Sequence, residues 1–373
     1  MSVPLSSAFF AGGVLVGATG AFLLRPSPSP APTQPSSPPP PPPGAPQTLA
    51  GHSLIDASSL TLTDAAGQPV VRAGSVGPIV DLLRNTAYIS AYDRRLRHPA
   101  WTAEHLTAAS FAPPASGGGD GGSGGVDRRY SVFKEDPRIP ELFRARLADY
   151  FRSGYDRGHM VPAADAKTSQ TAMDETFFLS NIAPQVGEGF NRDYWAHLED
   201  FTRRLAKASA DGRAPRWKNV YVFTVPLYLP RSYLEPAPTA TGGGSSSAVD
   251  ERRERFRVSY EVIGSPPSIS VPTHFAKVIY ALPASSSSSL LSRGGGGVLG
   301  AFVLPNARIP NEVPLRQFLV PVESVERAAG LTLFSDDVKR GARPLCDSVD
   351  CSIVVREFND IRKKTLSAPP PTP

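Results

Sequence analysis

Cysteine is scarce in this chain: among 373 residues only Cys346 and Cys351 occur, five positions apart near the C-terminus. A structural zinc site needs further cysteines or well-spaced histidines, and neither lies nearby. A bridge between the two would close a very small loop and form only in an oxidising compartment, so the expectation is two free, partly buried thiols. No glycine-rich phosphate loop precedes a helical pattern. No zinc finger, basic zipper or helix-turn-helix pattern is present either, so any contact with nucleic acid would fall mainly on the phosphate backbone. The lack of an internal repeat and of regular βαβ alternation leaves α+β as the fold class.

Proline and glycine, by contrast, are abundant, with 40 and 32 residues gathered into tracts that cannot build a core. Roughly 250 residues remain foldable, enough for one well-buried domain. No acidic residue precedes Asp56, and Pro4 to Leu24 carries no charged side chain before Arg25. Residues 1–25 therefore read as a marginal membrane anchor or targeting segment. A cleaved secretory signal is the rival reading, although its basic n-region is missing. Residues 26–50, which include Pro38 to Pro43, read as an extended spacer, with an SH3-type ligand as the alternative. One domain is expected over 51–365, interrupted by solvated Gly/Ser-rich loops near 114–127, 236–250 and 284–297, then a tail over 366–373. The net charge of +5 and pI of about 9.2 suit a polyanionic partner equally as well as a mildly basic protein with none.

Runs rich in β-branched and aromatic residues predict strands over 86–92, 220–227, 276–282, 298–304 and 352–356. Helical periodicity marks 140–150, 192–205 and 324–329. Tyr194, Trp195, Leu198, Phe201 and Leu205 recur at helical spacing, so a helix begins just after Asn191, which falls at or near its N-cap.

Asp156-Arg157-Gly158-His159-Met160, followed by Asn181, Asn191 and Glu199, forms the chemical constellation. Singly, Asn191 reads as a helix cap and Glu199 as a solvated helix acid. Together they offer a neutral oxygen ligand suited to Mg²⁺, a carboxylate to orient one of its waters, and in His159 a base for neutral pH. Metal-assisted phosphodiester cleavage needs that set. His197 stands about 200° round the helix from Glu199, which implies a surface or packing role. His274 reads as structural, and His52, His98 and His105 have no acid or histidine at ligand spacing.

The blocks YDRGHM, LSNIAPQ and FNRDYWAHLE resemble the DNA/RNA non-specific endonuclease family, in particular its endonuclease G-like mitochondrial members. Similar blocks occur in the same order over roughly 75–335, among them TAYISAYDRR, FKEDPRIP and VPTHFAKVIY. The resemblance implies a ββα-metal (His-Me finger) fold with a mixed or antiparallel sheet flanked by helices. It implies His159 as general base, Asn191 as direct ligand of Mg²⁺ (or Mn²⁺), Arg157 and Asn181 as site-shaping residues, and Glu199 near the metal's water shell. Arg129, with Arg128 as the alternative, matches the phosphate-contacting arginine. Also implied are cleavage of DNA and RNA to 5′-phosphate ends, a homodimer, and residence at the mitochondrial inner membrane facing the intermembrane space. Two departures stand out: Thr224-Val225-Pro226 has valine where many relatives have glycine, and nine residues separate Asn181 from Asn191, one more than in many animal-type relatives, so that loop must bulge. A non-catalytic, membrane-tethered nucleic-acid-binding protein and a phosphodiesterase for small nucleotides are the competing readings.

Overall fold

Apolar side chains at nearly every position of 217–227, 274–283 and 298–305 demand strands covered on both faces. The computed structural model, which describes residues 78–111, 126–207, 214–234, 254–283 and 297–355, has them at the centre of an eight-stranded sheet. In chain order the strands are β1 (Val80–Arg84), β2 (Tyr88–Asp93), β3 (His98–Leu106), β4 (Asp156–His159), β5 (Ile182–Gln185), β6 (Trp217–Leu227) and β7 (Arg231–Leu234). They continue as β8 (Glu254–Arg257), β9 (Val262–Ile263), β10 (Ile269–Ser270), β11 (His274–Pro283), β12 (Val298–Pro305), β13 (Leu319–Val320) and β14 (Arg343–Pro344). The main sheet runs β1-β2-β3-β6-β11-β12-β13, all antiparallel, with β14 added parallel to β12. Three two-stranded ribbons stand apart from it: β4-β5, β7-β8 and β9-β10.

Period-two alternation divides the sheet into two faces. Val220, Val222, Phe275, Ile279, Phe302 and Leu304 pack beneath α3 (Tyr194–Ala206), against its Trp195, Leu198, Phe201 and Leu205. α1 (Leu147–Tyr150) and α2 (Gln170–Glu175) precede α3 in the chain, and Ser169 caps α2 by accepting from the Ala172 N–H at 3.0 Å. On the opposite face Val225, Leu227, Ala276, Val278 and Ala301 meet Val322 and Val325 of α4 (Val322–Ala329). The α+β class and the sheet flanked by helices are as expected.

Several local expectations need correction. Cys346 and Cys351 form a disulfide rather than two free thiols. The chain turns back after α6 (Leu345–Ser348), itself preceded by α5 (Asp336–Gly341), and so the two Cα atoms come within 5.3 Å, inside bridging range. Residues 351–355 form no strand, and Arg356 lies outside the described residues. The stretch 140–150 is broken into a 3₁₀ turn at Glu141–Phe143 and the short α1, because Arg144 between them is extended. Pro226 leaves β6 unbroken: it pairs with Phe275 beyond the last β3 partner, Thr224, where an edge tolerates proline. The segments 1–25, 26–50 and 366–373, and most of the three Gly/Ser-rich loops, lie outside the described residues. Among the described residues no helix is long and apolar enough to cross a membrane.

Candidate active site

The motif strand β4 pairs antiparallel with β5, placing His159 opposite Ile182 and Asp156 opposite Gln185, and the chain then turns into α3. This is a ββα unit. The turn between β5 and α3 is a widened one at Gly187–Asn191 in which Gly189 takes φ +75°, so the expected bulge is present. The helix cap is Asp193, not Asn191; its carboxylate accepts the Gly189 N–H at 2.5 Å. Asn191 thus stands just before the helix instead of closing it. Asn306, at the end of β12, ties the unit to the main sheet by accepting from the Val186 N–H at 2.8 Å and donating to the carbonyls of Pro184 and Pro272.

Asn191 is oriented by a residue to which the sequence reading gave no role. Its Nδ2 donates to Asp156 Oδ2 at 2.9 Å, so its Oδ1 is the atom left to offer to a hard cation. Asp156 is in turn held by one edge of the Arg192 guanidinium, whose Nε donates to Oδ2 and Nη2 to Oδ1, each at 2.7 Å. A Cβ at Gly187 would come within 2.9 Å of both Asp156 carboxylate oxygens, so only glycine lets the turn pass this close. The pair Asp156 and Asn191, 35 residues apart, becomes neighbours only through β4-β5 pairing, which no linear spacing announces.

His159 packs between Phe177, edge-on at 4.8 Å, and Phe133 at 5.3 Å. Lys134 exchanges backbone hydrogen bonds with Phe177 and Leu179, which holds the two rings in place. The buried Nε2 has no hydrogen-bond partner among the described residues. Burial first, then the charges of Arg128 and Arg157, pull the imidazole down to about 3, so at neutral pH it is uncharged and able to accept a proton. Asn181 is fully buried and spends its side chain on the backbone: Oδ1 accepts from Val161 N–H, and Nδ2 donates to the carbonyls of Val161 and Thr176. It fixes the chain just past His159.

The two candidate arginines differ. The Arg129 guanidinium ion-pairs with Asp127 at 2.6 Å and is largely exposed. Arg128 lies 5.5 Å over the Phe177 ring, and its charge acts on both His159 and Glu199. Arg157 stands 4.3 Å over Phe133. Together with Arg152 and Arg192 these side chains line a groove of about 1070 Å³ that also includes Phe133 and Asn191.

Beneath the site runs a cluster that sequence reasoning missed. Strand register aligns Ser90, Thr102, Thr224 and Lys277 in one buried row across four strands. Lys277 Nζ donates to Thr224 at 2.8 Å and sits 4.9 Å over Trp195. Glu104, one step along the same face, is buried and held well above the usual carboxylate range, chiefly by desolvation and then by Asp165, which in turn accepts from Arg203 at 3.0 Å. Glu199 of α3 joins them: burial raises it to about 7, against the opposing pull of Lys277 and Arg203. His197 is buried, which makes its role packing rather than surface.

Among the described residues no group of three or more histidine, cysteine or acidic side chains could hold an ion. One neutral amide oxygen, on a side chain oriented through its Nδ2 by Asp156, fits a cation that keeps most of its waters.

Comparisons with known proteins agree with this architecture. Residues 66–340 match the profile of the family described as DNA/RNA non-specific endonuclease. The chain is 45% identical over 302 residues to the mitochondrial nuclease of Saccharomyces cerevisiae, covering 80% of each. It is 37% identical over 254 residues to mitochondrial endonuclease G of Homo sapiens, covering 68% of this chain and 69% of that one. Its backbone is similar to EndoG in the crystal structure of the EndoG/EndoGI complex, with a TM-score of 0.53 and 41% identity over 68% of this chain and 84% of that chain. With the family profile spanning most of the described fold and the ββα unit in place, this chain belongs to the DNA/RNA non-specific endonuclease family and is a nuclease.

Proposed function

We propose that the chain is a magnesium-dependent, sequence-non-specific endonuclease that hydrolyses phosphodiester bonds in DNA and RNA to leave 5′-phosphate ends. The observation that carries this reading is the uncharged imidazole of His159, packed behind Phe133 in the wall of an arginine-lined groove that also holds the oriented amide of Asn191. The His159 imidazole takes the proton of the attacking water as the water oxygen bonds to phosphorus; the bond from phosphorus to the 3′ oxygen breaks, and that oxygen leaves as a hydroxyl with a proton from solvent. The arginines that depress His159 would be offset by a bound phosphate, so the imidazole becomes a stronger base once substrate is in place. A divalent ion at Asn191, Mg²⁺ or Mn²⁺, would supply charge stabilisation at the phosphate. Glu199 orients water, and Asn181 and Asp156 position His159 and Asn191 respectively. Arg128 with Arg157 binds the phosphate; what favours Arg128 over Arg129 is its action on both His159 and Glu199, whereas Arg129 is engaged by Asp127.

The names of the relatives support a mitochondrial address. The proposal extends to a homodimer, to a single nuclease domain over 51–365, and to a tether through residues 1–25 at the inner membrane facing the intermembrane space. Protease protection of intact and swollen mitochondria checks the placement. For the chemistry, the purified chain should nick plasmid and degrade RNA with Mg²⁺, stop in EDTA, and resume on Mg²⁺ add-back, with fragments that a 5′-phosphate-dependent ligase accepts. Undiminished cleavage in EDTA, or fragments with 5′-hydroxyls, would rule the mechanism out.

A further inference from the structure

A second hollow, of about 540 Å³, shares Tyr155 as a wall with the catalytic groove. Tyr155 is the residue immediately before Asp156, so the two depressions adjoin at the start of the catalytic motif. The far wall is the β7-β8 ribbon. There Arg231 stands directly opposite Arg257, and Tyr233 opposite Arg255. Alternation puts all four on one face, so three arginines and a tyrosine share it.

The opposition of Arg231 and Arg257 has no account in stability. Like charges directly opposed across an antiparallel pair are destabilising. Among the described residues no carboxylate ion-pairs with Arg231 or Arg257, and both are exposed. The Arg257 guanidinium lies 4.4 Å over the Tyr233 ring, which holds it towards the hollow rather than in bulk solvent. Tyr260, 46% exposed, is braced edge-on by Tyr228 at 4.7 Å, and the Tyr228 hydroxyl is itself fixed to His98 Nε2 at 2.6 Å. The acid on the rim, Glu261, is taken up by the Tyr155 phenol. Asn306 lines the hollow and also bonds to Pro184 and Val186, so this wall and the catalytic ribbon are joined through one side chain.

We infer that this hollow is a subsite for an unpaired stretch of nucleic acid that continues out of the catalytic groove. Its phosphates meet Arg231 and Arg257, and a base stacks on Tyr260. Opposed arginines call for a polyanion, and a braced, half-exposed aromatic calls for a base that is out of its stack, the combination used to hold single strands. The inference rests on the nuclease reading above and adds where a long substrate is gripped.

Steady-state cleavage by the full chain separates the two. The substrates are a single strand of about 40 nucleotides, its duplex, and a tetranucleotide, which offers few phosphates beyond the scissile one. Arg231→Ala/Arg257→Ala should raise KM on the long single strand about tenfold or more, leaving kcat and tetranucleotide cleavage unchanged. In a His159→Ala background, binding of the long strand should lose about 0.7 of salt slope per arginine removed, about 1.4 in all. Arg231→Lys/Arg257→Lys should restore that slope, and Tyr260→Ala should weaken binding between about fivefold and a hundredfold. An unchanged KM and salt slope in the alanine pair overturns the subsite, and an equal loss on duplex overturns its assignment to unpaired strands. Wild-type protein that cleaves none of the three substrates with Mg²⁺ present sinks the nuclease reading instead.

Discussion

The two faces of the central sheet are built on opposite principles. Towards α4 the fully buried contact is aliphatic, with Val225, Leu227, Ala276, Val278 and Ala301 against Val322 and Val325, and Trp101, Phe223 and Phe334 pack around it. Towards α3 the aromatic core shares its face with a buried polar row and with Glu104, Asp165, Arg203 and Glu199. Buried ionisable groups cost free energy that well-packed aliphatic ones do not. The α4 face is thus a packing contact alone, while the α3 face, which also carries the larger apolar cluster, accepts that cost beneath the site where phosphate chemistry is proposed.

Substitutions on each face put this division to the test. The largest effect should come from His159→Ala, which should lower the cleavage rate by about 10²- to 10⁴-fold with a near-normal thermal midpoint, since its Nε2 bonds to nothing. A variant that is fully active, or that unfolds, breaks the comparison. Leu227→Ala on the α4 face should do the reverse, costing about 2–5 kcal/mol in chemical denaturation while each folded molecule keeps its rate. Next, Asp156→Asn should weaken the apparent Mg²⁺ affinity about 10- to 100-fold by releasing Asn191 and Arg192; an unaltered Mg²⁺ titration would remove Asp156 from the site.

The smallest effect is one of pH. The Glu199 carboxyl sits at about 7 in the folded protein against an ordinary 4.5, so the folded state holds this proton more tightly than the unfolded one. Its contribution is most favourable below pH of about 4.5 and is lost as pH rises through about 7. Glu199→Gln cannot titrate there, so wild-type thermal stability should fall relative to the variant across that window. Acids outside this cluster are common to both proteins and cancel in the difference, while Glu104, which the Glu199 charge helps to raise, adds to the same trend. A midpoint difference that stays flat with pH would show that Glu199 is not desolvated.

Much of this was legible in the sequence because it depended on short-range pattern. The β-branched and aromatic runs of 220–227, 276–282 and 298–304, and the helical spacing from Tyr194 to Leu205, read directly as β6, β11, β12 and α3. His159 and Asn191 could be named because the motif blocks resemble a known family. What escaped depended on register and on tertiary turns. Glu104 and Lys277 lie on strands separated by β6 and meet Glu199 only through the packing of α3 on the sheet. Asp156 stands in the motif itself, yet its bond to Asn191 required β4-β5 pairing and the glycine turn after it. The cysteines were misread because five residues of spacing says little about whether a chain doubles back. Choosing between Arg128 and Arg129 needed the 3₁₀ turn that sends one side chain to Asp127 and the other over Phe177.

Asn306 carries a consequence for modularity. Its amide closes three backbone gaps, to Val186, Pro184 and Pro272, and none of those partners belongs to the strand that bears it. The segment from Asp156 to Ala206 is therefore not a portable cassette, although it contains every motif residue from Asp156 to Glu199. Grafted onto another scaffold without an amide in the same place, β5 would lose its clamp and the turn that delivers Asn191 would drift. The smallest transferable unit includes the end of β12, more than a hundred residues downstream.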